Sequence, residues 1–538
     1  MASSIVSLHN IQALGTNRTV AMADQVACWF GLVLAVFLPL LLFKMWKPGD
    51  AGTANLPPSP WRLPVIGNLH QVMSRGPLLH RALADLARRL DAPLMYLQLG
   101  EVPVVVASSA EAAREITKTH DLIFATRPWS PSVRVLVADG EAQGLMFARY
   151  GALWRQVRKT CVVELLNSRR VRSCRRVREE EARRLVVAIT RAAAQGEATV
   201  DVGELVSAAM TDLVVRAVIG DRFDRPEELL EVIKEGKKIA SDKISLCDLF
   251  PSSWIASLLS GTTRRAEENS RKMFEVMDCV IRQHQDRRAA ASGNLGEEEE
   301  DTVDVLLRLQ KDGGHEVPFT MGTIRSVIRD LFNGGGETAM IEWAMAQLMR
   351  NPRVMQKAQA ELRESLQGRR TVTEDDLVNV KYLKLVIKET LRLNTAVPLL
   401  LPRECRETCK VMGYDVPKGA TVFVNVWAIG RDPKYWADAE DFIPERFESS
   451  GAVDFNGTDF EFIPFGAGRR MCPGMTLGLA SHEIVLASLL YHFDWELPPG
   501  VSPGEMDMTE EMGVTMTSRM KNGLHLRPIV RLPLQAAP

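Results

Sequence analysis

Cys472 lies in the run Phe465-Gly466-Ala467-Gly468-Arg469-Arg470-Met471-Cys472-Pro473-Gly474, too glycine-rich for a strand and too interrupted for a helix. A periodic segment, Leu477 to Leu490, follows at once and reads as a helix. The cysteine therefore sits in a loop feeding a helix N-terminus, where free N–H groups and the helix dipole favour a thiolate. Gly468 and Gly474 permit backbone dihedrals or close approaches that other residues resist. Arg470 offers fixed guanidinium donors to a nearby carboxylate. A lone buried cysteine is most often an apolar filler. A buried thiolate ringed by donors suits the axial position of a haem iron instead.

Three other stretches have spacings compatible with such a site, though alone the tryptophan–arginine spacing fits an amphipathic surface helix equally well and a glutamate–arginine pair is usually an exposed ion pair of little worth. Trp154 and Arg158 are four apart in Tyr150-Gly151-Ala152-Leu153-Trp154-Arg155-Gln156-Val157-Arg158-Lys159 and share one helix face. An arginine can fork onto one haem propionate and an indole N–H can donate to the other. Arg155 and Lys159 face elsewhere, toward solvent or a redox partner. Thr320 to Arg350 lacks proline and reads as one long helix, yet its middle is Asn333-Gly334-Gly335-Gly336-Glu337-Thr338-Ala339. Each glycine costs about 1 kcal/mol against alanine in a helix. That cost is acceptable where something bulky approaches the backbone, and otherwise marks a simple break. Glu389 and Arg392 are three apart on a helix from Tyr382 to Leu393, with Pro444-Glu445-Arg446-Phe447 further on.

The set Phe465, Gly468, Arg470, Cys472, Gly474 is the haem-binding signature of the cytochrome P-450 family. The chain resembles a plant microsomal member of it, from the proline-rich stretch near Leu56 to about Arg531. The resemblance implies a mainly α fold with a small β-rich lobe, haem b as cofactor, and Cys472 as the iron ligand. It assigns Trp154, Arg158 and Arg403 to the haem propionates, Phe465 to shielding the thiolate, and Arg470 to the same cofactor loop. Gly335, Glu337 and Thr338 match the family's (A/G)GX(D/E)T(T/S) motif, which assigns Thr338 and Glu337 to proton delivery; Ala339 departs from it. Glu389, Arg392 and Arg446 resemble its structural network. The implied activity is insertion of one oxygen atom from dioxygen into an apolar small molecule. No nicotinamide or flavin motif appears, so electrons must come from a partner, which the resemblance implies is NADPH-cytochrome reductase drawing on NADPH, with cytochrome b5 as a further partner.

Val397, Leu399, Leu400 and Val514 point to an apolar pocket. The run Cys405-Arg406-Glu407-Thr408 with Met412-Gly413-Tyr414-Asp415, and Val453-Asp454-Phe455, resemble grass enzymes of specialised metabolism, several of which oxidise diterpenes or sesquiterpenes. A terpenoid substrate is expected. The competing readings are a reductant-independent isomerase or dehydratase, a hydroxylase of a non-terpenoid metabolite, and a non-catalytic haem carrier.

Around these stretches the chain is ordinary. It has 538 residues, 46% hydrophobic and 25% charged, with formal net charge -1, which argues against nucleic acid as a bulk partner. Its eight cysteines form no CxxC and no zinc spacing, so they read as thiols of a reducing compartment. Residues 25–43 carry no charge and as a helix would rise roughly 28 Å, about a hydrocarbon core. Lys44 and Lys47 follow, which places the C-terminal side in the cytosol. The expected organisation is a lumenal N-terminus (1–24), a transmembrane anchor (25–43) in the endoplasmic-reticulum bilayer, a basic proline-rich hinge (44–67) acting as a rigid spacer, and a cytosolic catalytic domain (68–538). Within the body, a helix is expected over Leu78 to Arg89, a strand at Val104 to Val106, and a Ser109 cap on the next helix. Glu297 to Glu300 reads as a solvated loop tip, and Gly513-Val514-Thr515-Met516 as the last substrate-contacting turn.

Overall fold

The computed structural model describes residues 55–136, 144–195, 199–220, 226–240, 246–259, 261–290, 300–314, 316–335, 338–449, 453–512 and 517–534. The expected anchor (25–43), Gly336, Glu337 and the turn at 513–516 lie outside them. Among the described residues, no helix is long and apolar enough to cross a membrane.

Helices carry most of the chain, and the large core is theirs. Helix Ala339–Arg350 buries eleven of its twelve residues, Trp343 among them. A helix buried all round must be central. Helix Val202–Ile219 packs against it with Met210, Leu213 and Val214 buried, and helix Met475–His492 is buried from Ser481 onward except at Glu483. These apolar surfaces merge with Phe332 and Ile387 into one cluster.

The β-rich lobe is a four-stranded sheet. Strands Leu94–Leu99 and Val102–Ala107 run antiparallel; Thr421–Val424 lies parallel to the second, and Arg403–Glu404 antiparallel beyond it. The two-residue period sorts its side chains. Leu94, Tyr96, Val105 and Ala107 enter one apolar cluster, while Met95, Leu97, Val104 and Val106 enter another. Both faces are thus covered. The expected helix is Leu79–Arg89, and Ser109 Oγ accepts from the Ala112 N–H at 3.2 Å to cap the next one.

Three expectations change. The proline-rich stretch is laid against the sheet from residue 55 onward: the Tyr96 N–H donates to Pro58 O at 3.0 Å, and buried Asn68 donates to Pro60 O and Trp61 O at 3.1 Å each. Prolines cannot donate, so their free carbonyls are taken by neighbours. The helix expected over 320–350 is two, Met321–Gly335 and Ala339–Arg350, separated at the glycine run. Of the acidic run, residues 297–299 lie outside the described residues, and Glu300 is not solvated: it is 7% exposed and accepts from Arg308 Nε at 3.1 Å, with Arg170 and Arg288 close by.

Candidate functional site

The cysteine loop is shaped by backbone constraints. Gly466 and Gly468 have φ of +70° and +67°. A Cβ on Gly468 would lie 2.0 Å from Thr117 O, so that position requires glycine twice over. Gly474 differs from expectation: its φ is -91°, and a Cβ there would meet nothing within 4 Å among the described residues. Its part is played by its N–H. The Cys472 N–H donates to Phe465 O at 2.9 Å and closes the loop, and helix Met475–His492 begins just beyond. Burial pushes the Cys472 thiol up; the N–H groups of Gly474 and Met475 and the Arg158 guanidinium pull it down. Phe465 packs edge-on against Phe455, centroids 5.5 Å apart, on the wall beside the thiol.

Cys472 is enclosed by protein, yet exposed, because it opens into a cavity of about 1210 Å³. Trp154, Arg158, Thr338, Arg403, Phe465 and Arg470 line the same cavity. The structure thus brings together seven of the eight expected site residues, and Glu337 lies outside the described residues. Helix Ala152–Thr160 presents Trp154 and Arg158 inward and leaves Arg155 and Lys159 exposed, as the spacing predicts.

The arginines are more numerous than expected. Arg470 donates to three backbone carbonyls, Ala125 O at 2.6 Å, Leu145 O at 3.2 Å and Ala148 O at 2.6 Å, where a carboxylate was expected. Its guanidinium lies 4.2 Å from the Trp154 ring centre. The Trp154 indole donates to Leu145 O at 3.0 Å. Arg403, placed by the edge strand, is 3% exposed and donates to Ala467 O at 3.0 Å. Its Nη1 is buried without a hydrogen bond among the described residues, 3.8 Å from Asp121 Oδ1. Arg127, which the sequence reading missed, donates to Leu401 O at 2.7 Å and Pro402 O at 2.8 Å. Burial, with Arg470 and Arg403 beside it, lowers Arg127; burial likewise lowers Arg403 to about 10, and burial with Arg403 and Arg158 nearby lowers Arg470 to about 9. Arg127, Arg158, Arg403 and Arg470, four of the arginines that line the cavity, one with an orphaned N–H, form a site that calls for anions. A macrocycle carrying two carboxylates and a thiol-seeking metal fits that donor set.

The end of helix Met321–Gly335 and the start of helix Ala339–Arg350 also line the cavity. Asn333, Gly334, Gly335, Thr338 and Ala339 line the cavity. A Cβ on Gly335 would lie 2.9 Å from Val214, so close helix packing is one reason for glycine there. Thr338 is the N-cap of helix Ala339–Arg350, with its carbonyl accepting from the Ile341 N–H at 3.0 Å, but its side chain makes no capping bond. Val397 and Leu400 line the apolar part as expected; Leu399 instead packs into the sheet's second cluster with Phe423.

A mainly helical body with a small sheet lobe, and a cysteine loop facing an arginine-lined cavity, define a haem-thiolate protein. The family model for cytochrome P450 matches residues 57–522, and the chain belongs to that family. It is 45% identical to zealexin A1 synthase of Zea mays, over 94% of this chain and 98% of that protein. It is 46% identical to dolabradiene monooxygenase of Zea mays, over 95% and 99%, and 43% identical to desmethyl-deoxy-podophyllotoxin synthase of Sinopodophyllum hexandrum, over 93% and 97%. The protein is an oxidoreductase, a haem-dependent monooxygenase that takes a small organic substrate and electrons from a redox partner.

Proposed function

We propose that Cys472 ligates the haem iron, that Arg158, Arg403, Arg470 and Trp154 frame the propionates, and that the chain inserts one oxygen atom from dioxygen into a terpenoid, a diterpenoid or sesquiterpenoid skeleton. The carrying observation is the shared cavity: Cys472, Thr338 and the apolar Val397 and Leu400 all line it. At about 1210 Å³ it exceeds the roughly 300–1,000 Å³ of a single small-molecule site, as a cofactor plus a substrate requires. The two maize relatives, one a dolabradiene monooxygenase, support the substrate class, as do the grass-like stretches at 405–415 and 453–455.

Bound haem supplies the activation of dioxygen. The chain's own residues bind, orient and move protons. The N–H groups of Gly474 and Met475 and the Arg158 guanidinium favour negative charge on the Cys472 sulfur, against the burial that pushes the thiol up. The Thr338 hydroxyl donates and accepts at once, and Glu337 relays protons to it from outside. Electrons arrive from NADPH through NADPH-cytochrome reductase, with cytochrome b5 as a second donor; exposed Arg155 and Lys159 are charge available to such a partner. The anchor at 25–43 holds the chain in the endoplasmic-reticulum membrane with the catalytic domain in the cytosol.

The test is reconstitution with reductase, NADPH and a panel of terpene hydrocarbons and their partly oxidised derivatives, filtered first by type I difference spectra. Product formation with matched NADPH and dioxygen consumption is the expected result. Turnover confined to phenylpropanoids, fatty acids or amino-acid derivatives would overturn the substrate class, and turnover without NADPH would favour the isomerase reading. Thr338→Ala should keep haem and substrate binding while product per NADPH falls several-fold, a loss of about 1–2 kcal/mol in the productive step, with hydrogen peroxide release rising. An unchanged product-to-NADPH ratio would place the proton route elsewhere.

A further inference from the structure

Helix Met321–Gly335 carries a carboxylate for which haem binding and oxygen chemistry supply no role. Asp330 is 7% exposed and lines the cavity. Its Oδ2 accepts from the Leu145 N–H at 2.6 Å and the Met146 N–H at 2.9 Å; Arg329 lies 3.8 Å from Oδ1. Burial pushes the carboxyl up, against the pull of Arg329 and the two N–H groups. The loop lies flat on the helix because residue 144 is glycine: a Cβ there would stand 2.2 Å from Asp330 Oδ2 and 3.0 Å from Ser326 O. Leu145 also faces the other way. Its carbonyl accepts from Trp154 Nε1 at 3.0 Å and Arg470 Nη1 at 3.2 Å. One residue thus joins the broken helix to the arginine wall, and its neighbours Met146 and Phe147 line the cavity.

We propose that Asp330 is a specificity-determining positioning residue: by accepting from Leu145 and Met146 it fixes the 144–148 loop as a wall of the substrate cavity and sets the cavity's width. A buried carboxylate accepting two N–H groups is a strong acceptor, and removing it leaves two donors without a partner in a dry place. The wall must then move. Charge is not required, since a carboxamide oxygen can accept both bonds. The inference rests on the haem-monooxygenase reading.

The experiment uses the full-length holoprotein and needs no knowledge of the substrate. Type II spectral titrations with a series of phenylimidazoles of increasing length read the cavity's width, and amide hydrogen exchange over 144–148 reads the loop. Asp330→Ala should change the affinity for the longer azoles about tenfold relative to the shortest and speed exchange at Leu145 and Met146. Asp330→Asn should restore both. Gly144→Ala, which pushes on the same contact without removing a charge, should reproduce the Asp330→Ala pattern, and the double variant should be no worse than either single one. Should Asp330→Ala fail to fold, Gly144→Ala and Asp330→Asn decide the matter between them. Unchanged azole discrimination and exchange in the foldable variants, or Asp330→Asn behaving as Asp330→Ala, would overturn the proposal. Absence of any type II spectrum in the unaltered protein would instead overturn the haem reading itself.

Discussion

Arg392 uses every donor it has. A guanidinium carries five N–H groups. Arg392 sends one from Nε to Glu389 Oε2 at 2.8 Å, two from Nη1 to Gly430 O at 2.6 Å and Ala439 O at 2.7 Å, and two from Nη2 to Glu389 Oε1 at 2.8 Å and Asp441 O at 3.0 Å. Glu389 Oε1 also accepts from Arg446 Nε at 3.0 Å and the Ile443 N–H at 2.8 Å. Glu389 is 0% exposed and Arg392 1%, so neither tolerates losing its partner, at a cost of about 3–5 kcal/mol. Arg392→Lys keeps the charge but replaces a planar fork by three donors on a point charge, and Glu389→Gln removes the charge. Both variants should yield protein lacking bound haem, seen as a missing ferrous-carbonyl band; normal haem content in either would show that the network is dispensable. The triad of Glu389, Arg392 and Arg446 was legible because it is written in side chains at characteristic spacings. The carbonyls of Gly430, Ala439 and Asp441 were not, since a backbone acceptor carries no residue-type signature. The same reason hid the true partners of Arg470 and left Arg127 unnoticed.

Elements are joined by fewer, larger contacts, and one of these is sensitive to acid. Glu510, on strand Glu510–Met512, meets helix Leu79–Arg89 through Arg81 Nη2 at 2.7 Å and His80 Nε2 at 3.1 Å, and accepts from Ser518 Oγ at 2.5 Å. Burial pulls its carboxyl up, but the contacts to His80, Ser518 and Arg81 outweigh it and hold the group down at about 2, against an ordinary 4.5. A folded-state value below the unfolded one means the stabilisation is present above about pH 4.5 and drains away as pH falls toward 2, amounting to about 3 kcal/mol at most. Glu510→Gln should therefore lower the denaturation midpoint at neutral pH, with the gap to the unaltered protein closing between pH 4.5 and 2. A gap independent of pH would mean that the charge is not what holds the strand. At this scale the sequence was informative where periodicity was strong: helices Leu79–Arg89 and Tyr382–Leu393 and the strands around Val105 and Val422 stand where expected. It was ambiguous at the glycine run, where the added cost of three glycines is compatible with either a bend or a break. The break is what the flanking helices show, with Thr338 restarting the second as its N-cap.

At the scale of the whole molecule, two groups of exposed apolar side chains lie near one turn, and the proposed anchor predicts that they meet lipid. Trp61 and Met73 are 67% and 75% exposed, with Leu63 and Val65 also exposed between them; Trp254 and Ile255 are 73% and 51% exposed. Both groups flank the turn at Gly100 and Glu101. The Gly100 N–H donates to Ile66 O at 3.3 Å, the Glu101 N–H to Leu249 O at 2.9 Å, and the Ser252 N–H to Glu101 Oε2 at 2.9 Å. Large apolar groups so clustered are rare on a surface that meets only water. The chain's path agrees. Asn55 is tied to Asp415 by its N–H at 2.8 Å, and the eleven residues 44–54 between it and the uncharged stretch reach at most roughly 40 Å when extended. The body must therefore sit within that distance of any bilayer that holds 25–43, and the surface beside residue 55, Trp61 included, is predicted to meet it. The nearness of these two groups was not legible from the sequence, because Trp61 and Trp254 are 193 residues apart and the docking of the 249–252 turn on the β hairpin is what brings their segments together. In full-length protein reconstituted into nanodiscs, lipids brominated near the headgroup should quench tryptophan fluorescence. Trp61→Phe and Trp254→Phe should each remove part of that quenching, while Trp436→Phe, buried in the helical core, should remove none. Equal quenching in all three variants would show that these groups look away from the membrane.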